Sequence, residues 1–313
     1  MAYNLKEVAK KEKRLTGGHR MCAGCGAPIV VNAVLRALKE EDHAVIASAT
    51  GCLEVSTCLY PYSAWKDSFI HSAFENAAAT IAGAEAAYKA KLNKGEKLTP
   101  TKFIAFGGDG GTYDIGLQSL SGAMERGHDM VYVCYDNGAY MNTGIQRSSA
   151  TPTFSDTSTS PAGKVIPGKM QRKKDLTKIM INHNLPYVAQ TAPMGNFKDI
   201  TEKAEKAIYT EGAAFMNTLA PCPRGWRYNT PDLMEITKLA VDTCVWPLYE
   251  VENGKYNITY TPKEKLPVEE FLKPQGRFKH MFKEENKWMI EEFQRVVNQE
   301  WEMLNKLASI GIE

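Results

Sequence analysis

The sequence predicts an α/β fold, a doubly wound parallel sheet followed by a C-terminal helical extension, and three observations predict it. An apolar run at 103–106 breaks at Gly107-Gly108-Asp109-Gly110-Gly111 and resumes with helical periodicity over 115–124. A second apolar run, 130–135, ends in Asp136-Asn137, so the stretch reads strand, tight turn, helix, strand. Downstream, helix-like segments at 175–182, 196–209 and 231–244 alternate with apolar runs at 187–190 and 213–219, the rhythm of βαβ units.

Taken in order, residues 1–16 are charged and read as a surface arm. Residues 17–245 form the main domain. It opens with a glycine-rich Cys-x-x-Cys stretch, a helical run at 28–38 and a strand in AVIASATGC, which Cys52 ends. A helix rich in small residues covers 74–90, with Glu75 in its first turn, where acids suit the dipole. The Ser/Thr/Pro stretch at 148–163 is a loop placed to cover a ligand. The basic run KMQRKK at 169–174 reads as a solvated face. Residues 246–313 form an extension for subunit contact: an irregular stretch with Pro262, Pro267 and Pro274, then a helix over 282–307 with Ile290, Phe293, Val297, Trp301, Leu304 and Ala308 on one face.

The 313 residues are 43% hydrophobic and 24% charged with net charge +2, which gives no global pull towards nucleic acid or membrane. No apolar stretch approaches the ~18 residues of a span. The N-terminal MAYNLKEVAKKEKR lacks the apolar core of a signal peptide, so the expected location is cytoplasmic.

The strand ends carry the chemistry. In an open parallel sheet, ligands bind beyond the carboxyl ends of the strands. Gly108, Gly110 and Gly111 let the backbone approach an anion, and a helix starting near Asp114 aims its N–H groups at the same place, which suits a diphosphate. Asp109 would repel that diphosphate unless a divalent cation stood between them. Asn137 offers a second hard oxygen and the carbonyl of Ala139 a third, a donor set for magnesium. Gly-Asp-Gly followed after 25 residues by Asp-Asn resembles the thiamine diphosphate motif. The glycine spacing matches neither a P-loop nor a dinucleotide fingerprint.

Seven cysteines, an odd number, argue against a disulfide framework. Cys22 and Cys25 form a pair, and Cys52 and Cys222 follow two apolar runs whose ends face the same sheet edge as Asp109. Four converging thiols leave zinc, an iron–sulfur cluster or plain structural cysteines open. A neighbouring thiamine favours the cluster, because a [4Fe–4S] centre accepts electrons one at a time. Cys58, Cys134 and Cys244 read as buried small hydrophobes. The six histidines show no ligand spacing, and His71 is the one able to reach the site.

Cys22-Ala23-Gly24-Cys25-Gly26, Thr50-Gly51-Cys52-Leu53-Glu54, Pro61-Tyr62, His71-x-x-Phe74-Glu75-Asn76, Gly108-Asp109-Gly110, Tyr140-Met141-Asn142-Thr143-Gly144-x-Gln146, Ala150-Thr151-Pro152 and Ala220-Pro221-Cys222 together resemble the beta subunit of pyruvate:ferredoxin oxidoreductase over residues 17–225. Within that family the fit is to the oxalate oxidoreductase variant. The resemblance implies that Cys22, Cys25, Cys52 and Cys222 ligate a [4Fe–4S] cluster. Asp109, Asn137 and Ala139 would hold Mg2+. Gly51, Cys52, Gly108 to Gly111, Tyr140 and Asn142 would contact thiamine diphosphate, with Asn142 beside the reacting carbon. The fold it implies is of the thiamine diphosphate-binding type.

Two departures stand out: Asn137 where some members carry threonine, and Ala27 where some carry glutamate. The glutamate that activates thiamine lies in another domain or subunit of the family, and neither Glu54 nor Glu75 is taken as its substitute. The chain is therefore expected to be inactive without its alpha, gamma and any delta-type partner subunits. The expected reaction is oxidative decarboxylation of oxalate, with pyruvate (giving acetyl-CoA) or another 2-oxoacid as the alternative and ferredoxin taking the electrons. A non-redox thiamine decarboxylase would be colourless, and a zinc-stapled binding protein would hold zinc without thiamine.

Overall fold

Eight strands form one sheet in the order β2-β1-β3-β4-β6-β5-β7-β8. They are β1 His43–Ala49, β2 Ser68–Ser72, β3 Thr101–Gly108, β4 Met130–Asp136, β5 Tyr187–Thr191, β6 Ala213–Leu219, β7 Leu248–Glu252 and β8 Lys255–Tyr260. The first six run parallel, and β7 and β8 add antiparallel at the β5 edge. This computed structural model describes residues 4–195 and 197–310.

The central strands are apolar on both faces because helices cover both. Ile104, Phe106, Val131, Val133 and Met216 face α2 (Ala27–Leu35) and α7 (Lys198–Tyr209) in one core. Phe103, Ala105, Met130, Tyr132 and Phe215 face α4 (Ala77–Asn93), α5 (Leu117–Glu125) and α6 (Leu176–Ile181) in the other. Alternate residues of one strand thus enter different cores, which makes the sheet doubly wound.

Several boundaries differ from expectation. Cys52 does not end β1; it opens a short helix, α3 (Cys52–Thr57), three residues beyond the strand. Glu75 stands before the alanine-rich helix, whose N-cap is Asn76. The segment expected at 196–209 is helical from Lys198, and Asn196 lies outside the described residues. Within the N-terminal arm, of which residues 1–3 are not described, the short α1 (Leu5–Lys10) buries nothing, whereas Leu15 is buried against Trp65.

The stretch after Trp246 is not irregular. LYEVE and KYNITY form the hairpin β7–β8 around Asn253-Gly254, with φ of 49° and 80°, the two positive values a tight hairpin turn requires. An Asn-Gly pair between alternating apolar residues was the available signal. Residues 223–226, 233–242 and 268–272 form α8 (Pro223–Trp226), α9 (Leu233–Asp242) and α10 (Val268–Leu272). Two 3-10 turns follow, Gly276–Phe282 and Glu284–Asn286, and then α11, Lys287–Ser309. Its Phe293, Val297 and Leu304 are buried, as the one-sided spacing predicts, and Met289 joins them. Among the described residues no helix is long and apolar enough to cross a membrane.

Candidate active site at the strand ends

Gly108 closes β3, and Asp109 caps a single π-type turn, Gly110–Ile115, that runs into α5. The helical turn therefore starts at Gly110, directly after the carboxylate, and not near Asp114 as expected. Gly110 has no alternative here: a Cβ would meet the Tyr140 ring at 2.4 Å. Asp109 is fully buried. Ser148 Oγ donates to its Oδ2 at 2.5 Å and the Asn137 N–H to its Oδ1 at 3.1 Å. Burial and then the nearby Asp136 push its carboxyl up to about 7, with the Ser148 hydrogen bond opposing.

Asn137 follows β4 at the adjacent strand end. As placed, its side-chain oxygen stands 2.9 Å from Asp109 Oδ1 and 2.8 Å from the Ala139 carbonyl, and accepts from the Ala139 N–H at 3.3 Å. Those two spacings match neighbouring ligands of octahedral magnesium, which with bonds of about 2.0–2.1 Å stand roughly 2.9 Å apart. Turning the amide over would satisfy the same contacts from its nitrogen. The donor set thus fits Mg2+, the expected ion.

A narrow cleft of about 30 Å³ adjoins these groups, walled by Gly51, Cys52, Gly108, Gly110, Tyr140 and Asn142 among others. Within this chain the cleft can grip only the end of a ligand. All the residues expected to contact the cofactor line it or stand beside it.

The structure also brings together the four cysteines expected to act as a set. Burial pushes the Cys25 and Cys52 thiols up to about 12, and each is raised further by the charges of Cys222 and Cys22. Cys222 is raised by burial and opposed by the Gly225 and Arg224 N–H groups. The Gly225 N–H reaches its sulfur at 3.4 Å. Gly26 N–H donates to the Pro221 carbonyl at 2.9 Å, and a Cβ on Gly26 would sit 2.8 Å from the Pro221 nitrogen, so only glycine lets the Cys-x-x-Cys loop dock on the Cys222 turn. Cys22 is exposed, Cys25 and Cys52 part-buried and Cys222 buried. Among the described residues no three His, Cys, Asp or Glu side chains stand close enough to clasp a single metal ion. A cubane spaces its thiolates more widely than one ion does.

The remaining cysteines lie elsewhere. Cys134 and Cys244 are buried as expected, whereas Cys58 caps the end of α3 and is only half-buried.

His71 reaches the site through one residue: its Nε2 is 2.9 Å from Thr50 Oγ1, Thr50 lines the cleft, and Glu54 Oε1 is 3.5 Å from His71 Nδ1. Asn142 is exposed, with Oδ1 accepting from Cys52 Sγ at 3.9 Å, so it spans the two halves of the site. Sequence reasoning missed three contributors. Ser148 belongs to the loop expected to cover a ligand, but only the fold shows it on Asp109. Trp226 Nε1 donates to the Asn137 carbonyl at 2.6 Å.

Lys173 pairs with Asp136 at 2.5 Å and lies 4.5 Å from the Trp246 ring centre. The basic run at 169–174 is therefore no solvated face. Lys169 is 1% exposed and donates to the Ser149 and Thr151 carbonyls, which holds the 148–154 segment in place.

Comparison with known proteins bears on the fold and the family. The family described as "Thiamine pyrophosphate enzyme, C-terminal TPP binding domain" matches residues 49–218. The pyruvate synthase subunit PorB of Thermotoga maritima is 51% identical over 99% of this chain and 98% of its own length. PorB of Methanocaldococcus jannaschii is 50% identical over 94% of this chain and 97% of its own. The ketoisovalerate oxidoreductase subunit VorB of Pyrococcus furiosus is 45% identical over 96% and 94%.

A solved 2-oxoglutarate:ferredoxin oxidoreductase from Magnetococcus marinus shares the fold, with TM-score 0.53 and 22% identity over 76% of this chain and 80% of that one. These relatives are named for pyruvate and ketoisovalerate, and none of those named here is an oxalate enzyme. The expectation of oxalate gives way to its 2-oxoacid alternative. With half its residues shared with PorB across nearly its whole length, the chain belongs to the beta-subunit family of the 2-oxoacid:ferredoxin oxidoreductases.

Proposed function

We propose that this chain is the beta subunit of a pyruvate:ferredoxin oxidoreductase, carrying thiamine diphosphate, Mg2+ and a [4Fe–4S] cluster in the cytoplasm. The observation that supports it most is the oxygen triad of Asp109, Asn137 and Ala139 beside a glycine-walled cleft whose far wall is Cys52. Bound thiamine diphosphate supplies a carbon nucleophile for a 2-oxo carbonyl, and a [4Fe–4S] centre takes electrons singly.

The chain's own residues divide that work. Asp109, Asn137 and the Ala139 carbonyl would hold the cation. Gly108, Gly110 and Gly111 admit the diphosphate, and Cys22, Cys25, Cys52 and Cys222 would hold the iron. Asn142, between Cys52 and the cleft mouth, offers a fixed amide to the reacting end. Gly51 and Tyr140 close the walls.

The cleft is too small to enclose a cofactor, and Glu54 is turned to His71, so the remaining enclosure and the activating glutamate are assigned to partner alpha, gamma or delta-type subunits. Residues 246–310, with Trp288 half-exposed on α11, are the proposed contact for them, together with the undescribed 311–313.

Asp109→Ala in the assembled complex tests the metal reading: thiamine diphosphate and magnesium should be lost together while iron content stays. Retention of both at full stoichiometry would refute it. The substrate is tested separately, by ranking kcat/KM for pyruvate, 2-oxoisovalerate and 2-oxoglutarate with ferredoxin as acceptor. A lower value for pyruvate than for 2-oxoisovalerate would move the assignment to the VorB type.

A further inference from the structure

A second well-walled hollow stands apart from the thiamine cleft. A cavity of about 400 Å³ lies between the sheet edge and α11, of the size that encloses small ligands. Its walls are mostly apolar and aromatic: Phe154, Trp226, Trp246, Phe271, Trp288 and Phe293. It shares no wall with the thiamine cleft, from which the Asp136–Gly138 turn divides it.

Among the described residues, one cation in that wall makes no direct ion pair, although the carboxylates of Asp136 and Asp109 favour its charge from further off. Arg277 is 2% exposed, and its guanidinium carbon lies 4.0 Å from the Trp226 ring centre. Its Nε donates to Gln275 Oε1 at 2.9 Å. Among the described residues its two terminal nitrogens have no hydrogen-bond or ion-pair partner. Nη1 lies beside Gly138, a cavity wall, where a Cβ would meet it at 3.0 Å.

The other charges are spoken for: Asp136 is paired with Lys173, and Glu292 is forked with Arg295. Glu300 and Arg172, also in the wall, are both exposed. A buried guanidinium with most of its five donors unused is costly unless an anion or water meets them.

We propose that this cavity is a binding site for a small monocarboxylate with an apolar or aromatic tail, its head on the free edge of Arg277 and its tail among the tryptophans. The chemistry selects that class. The guanidinium lies over the Trp226 ring and its Nε is held by Gln275, so the two terminal nitrogens are left to offer a pair of N–H groups, a match for one planar carboxylate. A dianion would bring a second charge into an apolar wall, and an uncharged molecule would leave the fork unmet. The place of the site, behind the Asn137 turn, makes it separate from the reacting cleft.

The test uses the assembled complex with 4-phenylbutyrate and its uncharged counterpart 4-phenylbutan-1-ol, followed by calorimetry and tryptophan fluorescence. The acid should bind once per chain and roughly tenfold to hundredfold more tightly than the alcohol, the difference a charge-assisted pair makes. Arg277→Met should erase that preference while leaving the alcohol's affinity. Val297→Phe, which fills the cavity from α11 and leaves Arg277 intact, should weaken both, and it keeps the proposal falsifiable where Arg277→Met fails to assemble. Equal affinity for acid and alcohol would overturn the site in favour of water alone on the fork. Binding unchanged by Val297→Phe would place the ligand elsewhere, and no binding to the complex would mean that a partner subunit fills the space; each overturns it.

Discussion

Trp226 Nε1 donates to the main-chain carbonyl of Asn137 at 2.6 Å. Trp226 ends the short helix that Cys222 caps, and Asn137 stands beside Asp109, so one indole joins the Cys222 turn to the turn proposed to hold magnesium. Trp226→Phe keeps an aromatic ring, though a smaller one, and removes the donor, leaving a buried carbonyl unmet. The expected loss of stability is about 1–3 kcal/mol, read as a lower denaturant midpoint, with weaker magnesium and thiamine diphosphate binding beside it. Unchanged cofactor affinity would show that the two turns are independent.

Asp109 sets a pH dependence. Its carboxyl is raised to about 7 in the folded, metal-free chain, against roughly 3.9 unfolded. The folded state therefore holds that proton more tightly, and stability of the metal-free protein falls as pH rises across the window between those values. Magnesium needs the ionised form, so its affinity should drop by about tenfold per pH unit below 7. The diphosphate titrates too, and Ser148→Ala separates the two. Removing the hydrogen bond that lowers Asp109 moves the falling limb to higher pH, which phosphate protonation cannot do. A limb that stays in place in Ser148→Ala would exclude Asp109 as its source.

Asn142→Ala should keep thiamine diphosphate and iron at full occupancy while turnover falls by on the order of a hundredfold. Steady-state rates beside cofactor counts decide it. Wild-type turnover in that variant would reduce Asn142 to a spacer between Cys52 and the cleft.

Cys222→Ser, prepared anaerobically, should lose or degrade its iron, whereas Cys134→Ser and Cys244→Ser keep about four irons per chain, the count of a cubane site. Gly26→Ala belongs with the first, because its Cβ would sit 2.8 Å from the Pro221 nitrogen and push the Cys-x-x-Cys loop off the Cys222 turn. Full iron in Cys222→Ser would remove it from the ligand set.

Gly108-Asp109-Gly110 and Asp136-Asn137 were legible because the backbone itself demands them: glycine where Tyr140 and the turn press close, polar groups where parallel strands end. The placing of Cys222 at the strand-end edge was legible from the apolar run before it. Ser148, Lys173 and Trp226 were not, since each acts through a contact 37 to 89 residues away and sits in a stretch whose local pattern suits a plain loop or helix. KMQRKK misled because a basic run is normally solvated, and here the loop folds Lys169 under carbonyls that local spacing cannot announce. The β7–β8 hairpin was readable at Asn253-Gly254 and lay hidden among prolines.

The four thiols sit on three segments that chain order keeps far apart, and the Cys222 turn emerges from the ribosome last. By the time β4 is made, Asp109 and Asn137 can already meet across neighbouring strands, whereas the thiol set stays one member short until β6 slots beside β4. Biosynthesis thus passes through a stage in which the nascent chain can form the oxygen triad but exposes three unjoined thiols. An oxidant present during translation would find those thiols open before the fold is complete.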